Sequence, residues 1–128
     1  MPAVLASVIA IGICASLGAL SRWGLALWLG ASGVMPWGTL AANLIGGYLI
    51  GIAIAGFALV PDIAPMWRLA VVTGFLGGLT TFSSFSAEVV SMLMDGRLGA
   101  ALLTAGAHLG GSLVLTWLGI RTVQAIVA

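Results

Sequence analysis

An all-α integral membrane fold with four transmembrane helices is what this sequence predicts, and three observations predict it. Of 128 residues, 62% are hydrophobic and only 5% charged. A soluble domain carries about 25% charged residues, so no water-exposed surface can be built from this chain. Its seven charges, Arg22, Asp62, Arg68, Glu88, Asp95, Arg97 and Arg121, leave the uncharged runs Met1 to Ser21, Trp23 to Pro61, Leu69 to Ala87 and Leu98 to Ile120. A bilayer core takes roughly 20 helical residues to cross, and every run offers about that length or more. Finally, the mean hydropathy is +1.26.

The elements follow in order. The first helix is expected at about 3–28. It lacks the basic leading segment of a cleaved signal peptide, and its apolar length exceeds a typical h-region, so it reads as a span. The lone Cys14 rules out an internal disulfide and reads as packing. The second run is about twice one crossing, but Pro36 and the surrounding SGVMPWG stretch use its first third as a turn. Helices at about 38–59, 67–94 and 98–121 complete a single transmembrane domain over 1–128. Trp23, Trp28 and Trp37 cluster near the first loop, with Trp67 and Trp117 toward the opposite face, as in the aromatic belts that anchor spans at headgroups.

The inventory points away from catalysis. One histidine and three carboxylates leave little for hydrolytic or redox chemistry. There is no P-loop, dinucleotide fingerprint, metal-ligand cluster or basic patch for nucleic acid.

Orientation is evenly balanced. Four spans put Arg68 and Arg121 on one side and Arg22 and Arg97 on the other, with no lysine present. Orientation follows the cytoplasmic excess of Lys and Arg, so a two-against-two count predicts insertion both ways round, a dual topology. The alternative is that one arginine is buried and leaves a weak bias.

Nineteen glycines fall partly in small-xxx-small spacing: Gly47 and Gly51, Gly74 and Gly78, Gly106 and Gly110, and more weakly Gly12 and Ser16. Such spacing lets helix backbones approach closely in lipid, within the chain or between copies. Polar groups at depth are costly unless satisfied. Thr39 and Asn43 share one face of the second helix, with Asn43 about 9 Å inward from Trp37. His108, Ser112 and Thr116 recur every four residues on the fourth helix, with His108 roughly 15 Å past Arg97. Each alone reads as interhelical glue. Two facing stripes read better as a hydrated pathway.

The stretch GFLGGLTTFSSFSAE, Gly74 to Glu88, carries the densest signal. Thr80 lies about 18 Å from Arg68, near the midplane. The helix is expected to break at Gly77-Gly78-Leu79-Thr80, since each glycine weakens a helix by about 1 kcal/mol. A break frees carbonyls, which are ready cation ligands. Two antiparallel copies would bring their breaks together on a two-fold axis, where oxygen-only ligands suit sodium better than a transition metal. Phe82 and Phe85 then share a helical face among Thr81, Ser83, Ser84 and Ser86. Their electropositive ring edges beside hydroxyl donors make a weak anion path, although core packing is the default for two such rings. Glu88, roughly 30 Å from Arg68, is expected at the far surface in a solvated or vestibule role.

Gly18-Ala19 with Arg22, GTLAANLIGGYLIG over residues 38–51, and above all GFLGGLTTFSSFS make the chain resemble the Fluc (CrcB) family of fluoride channels along nearly its whole length. Trp23, Tyr48 and Ser84 are small departures from the family pattern that keep the local chemistry. The resemblance implies an antiparallel homodimer in a bacterial inner or plasma membrane, with two fluoride pores and a central structural sodium ion. The sodium ligands it implies are the backbone carbonyls of Gly77 and Thr80 from both chains. Asn43, Phe82 and Phe85 would line each pore, alongside Thr39 and Ser84, with His108, Ser112 and Thr116 as a polar track. Fluoride, dissociated from acid that entered the cell, would leave passively. A small multidrug transporter is the nearest alternative, but such proteins rely on a glutamate in the first helix, and Met1 to Ser21 holds no carboxylate. A non-transporting subunit of a membrane complex would leave both polar stripes and the interruption unexplained.

Overall fold

The computed structural model describes residues 1–32 and 34–128. Four helical stretches are long and apolar enough to cross a membrane: Pro2–Leu29, Trp37–Ala58, Pro65–Met94 and Leu98–Val127. The chain is therefore a multi-pass membrane protein by length and composition.

Helix α1, Pro2–Leu29, starts on a proline, whose missing N–H costs nothing in the first turn. It stops at Gly30, which takes φ 63° and returns its N–H to the Ala26 carbonyl. A short antiparallel pair, β1 (Ala31–Ser32) and β2 (Met35–Pro36), then turns the chain into α2, Trp37–Ala58. The third span is assembled from pieces. It begins as α3, Pro65–Arg68, and widens into a π-helical segment over Leu69–Leu76. It closes with one helical turn, α4 (Gly77–Leu79), and resumes as α5, Phe82–Met94. Gly96, at φ 74°, turns the chain toward α6, Leu98–Val127. Helix α6 runs past the expected end near 121, because Thr122 to Val127 contains no helix breaker.

Two helix pairs hold the bundle together, and glycine sets the closeness of each. Helix α2 lies along α6: a Cβ at Gly51 would come within 3.0 Å of the Ile120 nitrogen, and one at Gly119 would meet the Ile52 nitrogen at the same distance. Helix α1 lies along the π segment and α4, where a Cβ at Gly74 would sit 2.9 Å from the Cys14 Cβ. Contacts this short exclude any side chain and let dispersion between backbones bind the helices in lipid. The Gly106 and Gly110 pair behaves differently, since a Cβ at either meets nothing within 4 Å. Two small buried apolar sets lie elsewhere: Met35 of β2 with Leu40 of α2, Met92 of α5 and Ala101 of α6, and Ala42 and Ala53 of α2 with Leu76 and Leu79 of the third span. The outer faces of α1 and α6 are exposed Leu, Ile, Val and Trp, among them Leu17, Trp23, Leu109 and Trp117.

The departure from helix in the third span falls slightly later than the glycine argument expects. Gly77 remains helical at φ −63°, ψ −37°, while Thr80 (φ −90°, ψ 156°) and Thr81 (φ −152°, ψ 121°) are extended. Gly78 serves packing instead, as a Cβ there would run into the Ala15 backbone. The two threonines take the extended geometry that β-branched residues favour.

Candidate functional site

Asn43 is the hinge of the site. Its Oδ1 accepts the Thr81 backbone N–H at 2.8 Å, and its Nδ2 donates to the Thr81 carbonyl at 2.9 Å. One side chain on α2 thereby pairs with an extended peptide as a neighbouring strand would. The second N–H of Nδ2 reaches His108 Nδ1 on α6 at 3.0 Å. Asn43 thus ties together all three walls of the site.

This pairing explains the interruption. In an unbroken helix the Thr81 N–H would go to the Gly77 carbonyl and the Ser84 N–H to the Thr80 carbonyl. The Thr81 N–H goes instead to Asn43, and the Ser84 N–H goes to Thr81 Oγ1 at 3.1 Å, as the N-cap of α5. Gly77 and Thr80 are therefore two carbonyls whose helical donors are diverted. The Gly78 carbonyl lying between them accepts from Arg22 Nε at 3.3 Å. Arg22 is half-buried here and turns toward the interruption, within α1 rather than at its end.

Beyond the interruption the aromatic rings line up. Phe85 stacks on the His108 imidazole, with centroids 4.5 Å apart and planes at 29°. Phe82 meets Phe85 edge-on at 5.4 Å. Phe82 itself is 77% exposed, so it is no core residue of the single chain. Below the rings a cavity of about 420 Å³ opens between α2, the third span and α6. Asn43, Gly77, Thr80, Phe82, Phe85, His108, Ser112 and Thr116 all contribute to its wall. The polar stripe of α6 is not uniform. Thr116 Oγ1 donates to the Gly47 carbonyl at 2.9 Å, which commits it to the α2 interface. His108 is buried, and its Nε2 has no hydrogen-bond partner among the described residues.

The remaining expected residues fall nearby. Ser84 is recruited through its backbone N–H to the α5 cap. Thr39, one turn before Asn43, donates to Glu88 Oε2 at 2.7 Å. Glu88 is thus not the solvated surface group the chain count suggests: it is half-buried, and its Oε1 is buried without a partner among the described residues. The reason is that α5 restarts after the extended pair, and Glu88, two turns into it, meets Thr39 of α2. Residue types alone did not single out the Thr81 backbone. The signal was Asn43, a polar side chain at depth on α2 whose amide meets the extended Thr81 peptide. No cluster of three or more His, Cys, Asp or Glu side chains that could hold a metal occurs among the described residues.

A largely apolar cavity with Asn43, Thr80, His108, Ser112 and Thr116 as its polar members, beside an interrupted span, is the site that this membrane-spanning chain assembles. Comparison with known sequences is specific. Residues 9–120 match the family described as CrcB-like protein, Camphor Resistance (CrcB), and the chain belongs to that family. It is 74% identical over 125 residues, 98% of this chain and the whole of the relative, to the Fluoride-specific ion channel FluC of Variovorax paradoxus (strain S110). Proteins of the same name from Albidiferax ferrireducens (strain ATCC BAA-621 / DSM 15236 / T118) and Paracidovorax citrulli (strain AAC00-1) are 63% and 62% identical. These matches cover 95% and 93% of this chain, respectively, and 94% of each relative.

Proposed function

We propose that the chain forms a fluoride-selective channel that lets fluoride leave a bacterial cell passively across the inner membrane. The observation that carries this reading is the cavity where Asn43, Phe85 and His108 converge on the interrupted span, in a chain 74% identical to a relative named a fluoride-specific ion channel. A small anion leaving water needs donors in place of its hydration shell, and donors and ring edges supply them without a fixed positive charge that would trap it. A negative-inside potential favours exit by about 2.3 kcal/mol per 100 mV, so no carboxylate is required for proton coupling.

The working unit of this proposal is an antiparallel homodimer with two pores. Phe82 stands out from the single chain, and Gly106 and Gly110 present a face that none of the described residues covers. A second copy would complete both. Dual insertion rests on the two-against-two arginine count, with Arg22's inward turn the point in favour of a weak bias instead. A sodium ion on the two-fold axis fits the donor set, since the Gly77 and Thr80 carbonyls have lost their helical partners and hard oxygens suit such a cation. Bound there, it would join the two copies electrostatically. Thr39, Asn43, Phe82, Ser84, Phe85, His108, Ser112 and Thr116 form the proposed anion path.

The test is flux from liposomes holding the purified protein. Fluoride should leave electrogenically while chloride is retained. Phe82→Ile and Phe85→Ile should each slow fluoride with the dimer intact, and unchanged flux in both would return the rings to ordinary packing.

A further inference from the structure

The hydrogen bonds around Asn43 determine which nitrogen of His108 carries its proton. The Thr81 backbone N–H can only donate, so the Asn43 atom 2.8 Å from it is the carbonyl oxygen. The other end of the amide is therefore NH₂, and its two hydrogens are directed to the Thr81 carbonyl at 2.9 Å and to His108 Nδ1 at 3.0 Å. An Nδ1 that accepts has no hydrogen, so a neutral imidazole carries its proton on Nε2. Phe85, stacked on the ring at 4.5 Å, keeps the imidazole plane in place. The Nε2 atom is buried in a residue 4% exposed and has no partner among the described residues, and His108 lies in the cavity wall.

We infer that His108 Nε2–H is an anion-binding donor of the passage, and that Asn43 is the positioning residue that holds it in that tautomer by reading the Thr81 peptide. The inference rests on the proposed anion path and adds the polarity of one of its members. The opposite tautomer would place a bare lone pair at Nε2 and repel an anion. An imidazolium would set an N–H against the Asn43 amide N–H. The interrupted span therefore has a chemical consequence at a distance: its extended peptide orients the amide, and the amide selects the tautomer. Thr116, whose hydroxyl is already given to Gly47, cannot serve as a donor without breaking the contact between α2 and α6.

The chain contains one histidine, so its two ring nitrogens can be resolved by ¹⁵N NMR on the full-length protein in lipid vesicles. A protonated Nε2 and unprotonated Nδ1 are expected. Sodium fluoride should shift the Nε2–H signal, with an equal concentration of sodium chloride leaving it in place. A protonated Nδ1, or an Nε2–H signal indifferent to fluoride, would overturn the inference whether or not the vesicles pass fluoride. A fluoride-sensitive signal in vesicles without fluoride flux would support it and count against the channel reading alone. Asn43→Asp puts an oxygen where Nδ2 stands and should move the proton to Nδ1; a proton that stays on Nε2 would overturn Asn43's positioning role. Should that variant fail to fold, His108→Gln and His108→Asn decide. The Gln amide nitrogen substitutes for Nε2 and should keep flux within about threefold, whereas Asn, substituting for Nδ1, should lose about tenfold or more. Equal flux in the two would contradict the donor assignment.

Discussion

Asn43 satisfies a backbone N–H and a backbone C=O that would otherwise be unpaired within a membrane span. Each such group left unsatisfied costs about 1–3 kcal/mol. Asn43→Leu should therefore destabilise the fold by more than about 2 kcal/mol, read as a lowered unfolding midpoint in detergent, with faster amide exchange at Thr81. Loss of flux with unaltered stability would show instead that Thr81 finds other partners. Thr81 itself caps α5 through its hydroxyl. Thr81→Val should cost about 1 kcal/mol while Thr81→Ser costs little, measured in the same unfolding titration. At this scale the sequence was most informative about residue type and least about partner. Asn43 and His108 were identifiable as polar groups on facing stripes. That Thr116 donates to Gly47, and that Glu88 turns inward to Thr39, depends on the exact register of packed helices, which spacing along one chain does not carry.

Helix pairing depends on glycine at particular positions rather than on glycine content. Gly51→Ala would drive a methyl into the backbone of α6 and should cost about 1–3 kcal/mol, as overpacking does. Gly12→Ala, with open space around the new carbon, should leave stability unchanged or slightly raised. Equal effects from the two, measured by unfolding in the same detergent, would refute the close-approach account. The four spans were legible because charge is so scarce that apolar runs outline them directly. The interruption of the third span was legible only in part. Glycines at Gly77 and Gly78 suggest a weak helix, yet both stay helical, Gly78 against α1, and the backbone departs at Thr80 and Thr81. A tertiary partner, the Asn43 amide, decides the place where local propensity only allowed it. The π-helical turns of Leu69–Leu76 had no signal in composition or periodicity.

As a whole molecule, one chain presents a cavity walled on three sides, a protruding Phe82, and carbonyls at Gly77 and Thr80 diverted from their helical bonds. The proposed homodimer closes the wall and the proposed sodium ion joins the carbonyls. Exchanging sodium for a bulky organic cation should accordingly weaken the dimer, seen as dissociation at dilution, and a dimer indifferent to sodium would remove the ion from the account. The central claim is selectivity for fluoride. It is tested most directly by efflux from liposomes loaded with fluoride and chloride together, with a potassium ionophore carrying the compensating current. Rapid loss of fluoride with chloride retained is the predicted result, and comparable loss of both ions would contradict it.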